Sequence, residues 1–374
     1  MMKRIYTFAV AALLSIACSC EKPAPIDDGG DDTPVTPPEP QEIVVPTPAF
    51  ARGADVSWVS EMEAGGKKFK KQDGTEADIF EVLKDVGINS IRLRVWVNPT
   101  GGWSGVADVT ELAKRAWNAG LALMVDFHYS DFFADPGRQD PPKDWAADMG
   151  SVESIKTLVK EHTQLVLNEL KAAKVSPAWI QIGNETRNGF LWPLAQLWNN
   201  SGNIPGGWDN FVKIYNSGYT AAKEIFPDAL VMPHLNNAWE DNAWWFKELK
   251  GRGGKFDAIA LSHYPQTEPK MTPEQMNTTA VSRIKALAST YGVPVIVSEV
   301  GVKPATESAS AAVLKSFMDE VLKIPACKGV FYWEPEVYGG WKPAVYSSLG
   351  WNSYDMGAFT SDGRPSAIMN AFKQ

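Results

Sequence analysis

Two glutamates carry the chemistry that this sequence most readily supports. Glu185 follows the run Ala178-Trp179-Ile180-Gln181-Ile182-Gly183-Asn184, and Glu299 follows Val293-Pro294-Val295-Ile296-Val297-Ser298. Each acid ends a short apolar run with strand character. Paired carboxylates suit cleavage of a glycosidic acetal, because the leaving oxygen needs a proton while the anomeric carbon develops positive charge. One carboxyl must then be protonated and the other ionised. When the two lie about 5–5.5 Å apart, the ionised one attacks carbon directly and configuration is retained. Arg94 beside Glu299 would hold that acid ionised, whereas Glu185, without such a cation and packed under rings, keeps its proton. The expected roles are Glu299 as nucleophile and Glu185 as acid/base.

Positioning such a pair requires strands that end on a common rim. From Phe50 onward, short β-rich runs recur at Gly53–Trp58, Ser90–Val97, Ala122–His128, Ala178–Gly183, Leu230–His234, Ala258–His263, Val293–Glu299 and Gly329–Trp333. Between them, Glu76–Val86, Val109–Ala119, Ser151–Ala173, Trp208–Phe226, Pro273–Tyr291 and Ser308–Ile324 carry apolar residues at helical spacing. Strand and helix alternate, which implies right-handed βαβ units and a parallel sheet. Eight such units predict an α/β fold, a single (β/α)8 TIM barrel over residues 49–374, with an open doubly wound sheet as the alternative. No GxGxxG follows the first run and no GxxxxGK[ST] occurs, which weighs against the open sheet and against a nucleotide cofactor.

Alternation within the second run places Arg92, Arg94, Trp96 and Asn98 on one face and only apolar residues on the other. Guanidinium groups inside a barrel require carboxylates, and Asp55, Asp126, Glu185 and Glu299 are the candidates. The strand ends also supply Trp58, His128, Asn184, His234, Asn236, His263, Tyr264, Trp333 and Glu334. Three strand-end histidines would also fit a zinc hydrolase, but there is no HxH pair in the first run and no HExxH on a helix. Trp239, Trp244 and Trp245 either form a sugar-stacking wall or pack a short helix. Trp117 and Trp179 are expected in the core.

Composition narrows the partners. The 374 residues include 15 Trp, and 36 basic against 44 acidic side chains give a formal charge of −8, with no basic stripe to bind nucleic acid. Residues 1–20 have Lys3 and Arg4 before an apolar stretch from Tyr6 to Ala17, too short for a mature span, and predict an export signal. Its end, Ser15-Ile16-Ala17-Cys18-Ser19-Cys20, resembles a bacterial lipoprotein cleavage box, with lipidation at Cys18 in preference to Cys20. Residues 21–48 hold eight of the 26 prolines, and residues 21–42 hold seven acids against Lys22, so this is expected to be a disordered, flexible tether. Cys327 is the only other cysteine, so the folded domain has no possible internal disulfide. A monomer is expected, touching the membrane only through the lipid, at the outer membrane or cell surface.

The segment Ile182-Gly183-Asn184-Glu185-Thr186-Arg187-Asn188-Gly189-Phe190-Leu191-Trp192-Pro193 resembles the acid/base segment of family 53 glycoside hydrolases, the arabinogalactan endo-β-1,4-galactanases. Also similar are Arg52-Gly53-Ala54-Asp55-Val56-Ser57, the Ile91 to Pro99 segment, Asp126 to Gly137, and Phe331-Tyr332-Trp333-Glu334-Pro335, so the resemblance runs in order over about residues 50–360. It implies a retaining (β/α)8 enzyme acting on galactan or type I arabinogalactan. Glu185 would be acid/base, Glu299 nucleophile, Asn184 the donor to a sugar 2-hydroxyl, Arg94 the support of the nucleophile, and Tyr264 the group that orients it. His128, Asp55, Trp333 and Trp351 would line the cleft, together with Trp58, Trp96 and His263. Two departures stand out. Phe132-Phe133 replaces the Thr-Trp often found after Ser-Asp, and residues 300–306 lack the clustered oxygen ligands with which some bacterial relatives hold calcium, so no metal is expected. The competing readings are a related retaining enzyme acting on mannan, xylan or cellulose, and a glycan-capturing surface lipoprotein without turnover.

Overall fold

The computed structural model describes residues 43–304 and 307–373. The expected export signal, Cys18 and Cys20, and residues 21–42 of the expected tether lie outside the described residues. Eight parallel barrel strands follow: β1 (Ala51–Asp55), β2 (Ser90–Val95), β3 (Ala122–Phe127), β4 (Trp179–Ile182), β5 (Leu230–Met232), β6 (Ile259–His263), β7 (Val295–Val300) and β8 (Cys327–Trp333). Neighbours pair in sequence order, and β8 pairs with β1. The fifth position is split. β5 pairs with β4, Pro233 offers no N–H, and His234–Leu235 resumes against β6, so the ring closes through a proline. The barrel read from alternation is therefore the fold.

Helices fill the connections where the apolar spacing predicts them, at Ile79–Asp85, Val106–Asn118, Val152–Ala172, Gly207–Ile225, Pro273–Tyr291 and Glu307–Val321. Their ends have local causes. The Ser151 side chain accepts from the Ser154 N–H, and Thr272 with Gln275 forms a reciprocal cap ahead of Pro273, with left-handed Gly292 ending the same helix. A further helix, Ala243–Gly251, buries Trp245 and leaves Trp244 on the surface, so the packing reading applies to Trp245. Trp117 and Trp179 are buried as expected, and the Trp117 indole N–H donates to the Ile43 carbonyl at 3.0 Å. Among the described residues, Ile43, inside the expected tether, already contacts the barrel. After β4 the chain makes two short antiparallel ribbons, Gly189–Phe190 with Ala195–Gln196 and Trp198–Asn199 with Gly202–Asn203.

Period-two alternation sorts the barrel into an outward layer beneath the helices and an inward column. Ala51, Ala122, Met124, Trp179, Met232, Ala260, Ile296 and Phe331 fill the interior, and above them Asp55, Arg92, Asp126 and Gln181 continue the same parities toward the rim. Strand β7 breaks the rule. Leu261 faces Val297 but Ser262 faces Glu299, so Ser298 is an extra residue in a bulge. Without that bulge Glu299 would share the outward face of Val295 and Val297; with it, the carboxyl turns into the barrel.

Interior volume is set by Gly53, where an added Cβ would lie 2.0 Å from the Phe331 ring. Replacing Gly53 with Ala is expected to lower stability by about 3 kcal/mol, the upper range for overpacking, because the ring sits between closed walls. Urea denaturation checks this, and Phe331→Leu added to Gly53→Ala should recover part of the loss.

Candidate active site

At the rim, Arg92 is fully buried, and its two terminal nitrogens meet three acids. Nη1 donates to Asp55 Oδ2 at 2.7 Å, while Nη2 reaches Asp126 Oδ2 at 2.8 Å, Asn184 Oδ1 at 2.9 Å and Glu299 Oε1 at 3.0 Å. Burial penalises the charge on Asp126, yet Arg92 and then His128 hold its carboxyl below the ordinary range. His128 Nε2 lies 2.9 Å from Asp126 Oδ2, and Nδ1 accepts the Ala134 N–H at 3.0 Å, which places the ring proton on Nε2. Asp55 Oδ1 is taken by the Ser57 hydroxyl at 2.6 Å. Asp55 is therefore fully occupied and inaccessible. It lies beneath the cleft floor rather than lining it, a correction to the expectation from sequence.

The cation beside Glu299 is also corrected. Arg94, two residues along the same strand, donates to Glu334 instead, and its guanidinium lies 5.1, 5.1 and 4.8 Å from the ring centres of Trp58, Trp96 and Phe133. One strand step along β2 moves the guanidinium from the Asp55–Asp126 level to the Glu334 level. Burial raises Glu334 to about 7 against the pull of Arg94, and burial together with Glu334 pushes Glu336 well above the carboxylate range, so a neutral acid sits behind the ion pair.

Glu299, 5% exposed, accepts from Arg92 on one oxygen and from the Tyr264 hydroxyl at 2.8 Å on the other. Burial raises its carboxyl to about 7 while Arg92 and Tyr264 pull it down. Tyr264 is held protonated by burial and by Glu299, so it remains a donor. Glu185 has no cation in contact; burial and the neighbouring Glu299 push it well above the carboxylate range. Its backbone is left-handed, at φ 47°, and it follows Gly183, whose own φ is 83° and where a Cβ would meet Thr186 Cγ2 at 2.4 Å. That sharp turn at the end of β4 aims the acid across the rim.

Both carboxylates converge on one hydroxyl. Ser262 Oγ is 2.7 Å from Glu185 Oε1 and 3.5 Å from Glu299 Oε2. Those two oxygens can be no farther apart than the two distances laid end to end, a bound compatible with the roughly 5–5.5 Å spacing of a retaining pair. Behind Ser262, His234 Nε2 lies 2.8 Å from the same hydroxyl, and His234 Nδ1 lies 2.9 Å from both Gln181 Nε2 and Asn184 Oδ1. Burial and then Arg92 lower the His234 pKa, which keeps the imidazole neutral. His234 Nδ1 accepts the Glu185 N–H and faces the Gln181 amide, so Nε2 carries the ring proton and donates to Ser262 Oγ, leaving the hydroxyl hydrogen free to rotate. Ser262 can therefore donate to an ionised Glu185 or accept from a protonated one.

The remaining expected residues divide. Asn184 is 6% exposed and spends one amide hydrogen on the Ala134 carbonyl at 2.8 Å. Trp333 and Trp351 are half-buried around the rim; Trp333 packs edge-on to Tyr354 at 4.7 Å. Trp58, Arg94 and Trp96 line a cavity of about 500 Å³ that continues toward Trp103, Phe132 and Leu349. Phe133 is buried against Trp58, Trp96 and Trp333, whereas Phe132 contacts Trp351 at 5.4 Å. His263 is not in the cleft. It shares the outward parity of Leu261, bonds Asn277 Oδ1 at 2.8 Å and stacks on Phe317 at 4.4 Å. The three strand-end histidines therefore do not converge, and the zinc arrangement fails on geometry. Sequence reasoning missed Gln181, Ser262 and the Arg92–Glu299 contact; the inward parity of Gln181 with Trp179 was the available signal.

The chain matches the sequence profile of glycosyl hydrolase family 53 over residues 51–372. It is 31% identical over 319 residues to the endo-beta-1,4-galactanase of Bacillus subtilis, covering 76% of this chain and 70% of that protein. It is 27% identical over 348 residues to the arabinogalactan endo-beta-1,4-galactanase of Thermothelomyces thermophilus, covering 86% and 98%. Among solved structures, a fungal beta-1,4-galactanase superposes with a TM-score of 0.74 at 27% identity, covering 87% of this chain and 99% of that one. With the profile spanning the whole barrel and these relatives alongside it, the chain belongs to glycosyl hydrolase family 53.

Proposed function

We propose that this protein is a retaining endo-β-1,4-galactanase acting on galactan and type I arabinogalactan, with Glu185 as acid/base and Glu299 as nucleophile. The observation that carries the reading is the convergence of the two carboxylates on Ser262 Oγ with Arg92 bonded to only one of them. Glu299 ionises first because it faces the guanidinium; Glu185 keeps the remaining proton because it does not. The Glu299 carboxylate attacks the anomeric carbon while Glu185 protonates the departing glycosidic oxygen, leaving a glycosyl ester on Glu299. Glu185, now ionised and accepting from Ser262, takes a proton from water, which attacks the same carbon and frees Glu299. Asn184 has one amide hydrogen left for the sugar 2-hydroxyl. Family membership and the relatives' names support the polymer and the mid-chain mode. The sequence supports export as a lipoprotein, lipidated at Cys18 or Cys20, displaying a monomeric enzyme at the outer membrane or cell surface.

Reducing ends released from β-1,4-galactan, with mannan, xylan and cellulose in parallel, test the substrate; better cleavage of any of the others would overturn it. Glu185→Gln should lose about 10²–10⁴ in kcat/KM on galactan, the range for a general acid, and Glu299→Gln at least as much. The roles separate with azide and an activated aryl β-galactobioside: Glu185→Ala should give the β-azide, and Glu299→Ala the α-azide. Should both variants give the same anomer, the assignment fails.

The competent state has Glu299 ionised and Glu185 protonated, so kcat/KM rises with pH through the Glu299 titration and falls through that of Glu185. Removing the Ser262 hydroxyl takes away a donor to ionised Glu185 and raises its pKa. Ser262→Ala should therefore move the alkaline limb to higher pH. Tyr264→Phe removes a donor to ionised Glu299 and should move the acid limb to higher pH. pH profiles of kcat/KM for the two variants check both signs.

A further inference from the structure

The ribbons after β4 carry a groove outside the catalytic pair. It holds about 550 Å³ and is lined by Trp192 and Trp198 with five neutral amide or hydroxyl residues, among them Asn188, Gln196 and Asn200, and no charged side chain. The lining suits a ligand that offers C–H faces and hydroxyls but no charge. The aromatic surface continues, because the Trp198 ring lies 6.0 Å from Trp244, which is 39% exposed.

Two side chains tie this groove to the acid/base turn. The Asn188 amide accepts the Trp198 N–H at 2.9 Å and donates to the Trp198 carbonyl at 3.1 Å, and the Asn188 carbonyl accepts the Trp192 indole N–H at 2.9 Å. Gln139 donates to the Asn184 carbonyl at 2.8 Å, while its own carbonyl accepts the Trp192 N–H at 2.8 Å. The loop itself is anchored by Arg187, which pairs with Glu240 and whose carbonyl accepts the Trp245 indole N–H at 2.9 Å. The groove is thus hydrogen-bonded to the segment that carries Glu185.

We propose that this groove binds the leaving portion of the substrate, the neutral galactosyl residues on the reducing-end side of the scissile bond, with Trp198 as the stacking platform. The inference rests on the hydrolase reading above. Glu185 delivers its proton to the leaving oxygen, so the departing saccharide must lie against the Glu185 loop, and the groove is the uncharged aromatic surface that this loop presents. The aromatic cavity beside Trp58 and Trp96 is lined instead by segments that follow β1, β2, β3 and β8 and shares no lining residue with this groove.

The test is native affinity electrophoresis of Glu299→Gln protein through gels containing β-1,4-galactan, with and without Trp198→Ala. The Trp198 indole makes no hydrogen bond that holds the ribbon; its backbone does, so the alanine variant keeps the Asn188 contacts. Trp198→Ala should weaken galactan retardation about tenfold, the order expected for one lost stacking platform, and Trp198→Phe should restore most of it. In otherwise native enzyme, Trp198→Ala should shift cleavage of reducing-end-labelled β-1,4-galactohexaose toward shorter labelled products, as fewer sugars are held on the leaving side. Unchanged retardation and an unchanged cleavage pattern would overturn the groove assignment, as would a Glu299→Gln protein that galactan does not retard. A native enzyme that releases no ends from galactan would overturn the substrate reading instead, while loss of retardation in Trp198→Ala would still support the groove.

Discussion

One buried guanidinium holds the catalytic rim together. Arg92 is the common partner of Asp55 on β1, Asp126 on β3, Asn184 beyond β4 and Glu299 on β7. Four strands of the ring are therefore fastened to a fifth by one side chain. Three acids in a desolvated space would repel one another without this cation, and removing one member of such a buried set costs about 3–5 kcal/mol because charges are left unpaired. The planar fork of arginine suits the task, since two nitrogens can serve partners in different directions; a lysine is a single point charge.

The same group divides the two glutamates. Glu299 is buried and Glu185 half-buried, and desolvation raises both. Contact with Arg92 breaks that symmetry by stabilising charge chiefly on Glu299, and the charge on Glu299 then disfavours a second one on Glu185. The proton needed for the leaving group is thus placed by a residue that never touches the leaving group. Ser262 and His234 complete the arrangement on the Glu185 side. The hydroxyl follows the carboxyl through both of its charge states, and the buried imbalance of charge stays small at each step.

Much of this was legible in the sequence, and the failures share a cause. Alternation in Ile91-Arg92-Leu93-Arg94 foretold two interior arginines and acids to meet them, but it could not say which acid lies at which height. That depends on stagger between strands, which sequence parity does not encode. Arg94 was therefore matched to Glu299, whereas the register sets it against Glu334. His263 fails for a different reason. Its parity with Leu261 already marked it as outward-facing, and its position at a strand end outweighed that signal. Glu299 is the reverse case. Its parity with Val295 and Val297 marks it as outward, and only the bulge at Ser298 turns it inward.

Irregular backbone recurs where the chemistry is. Tyr129, Glu185, Asn237 and Glu334 all have positive φ, and each lies one to three residues beyond a barrel strand. A regular strand can only send successive side chains in and out, so a closed ring of regular strands would aim its rim residues at the interior column or at the helices. Left-handed residues and the β7 bulge are the departures that let side chains point across the mouth instead. Their conformational cost is met by the surrounding order: Glu185 is fixed by its N–H to His234 Nδ1 and by the close fit of Gly183 against Thr186. The barrel supplies rigidity, and these breaks in its regularity convert rigidity into aim.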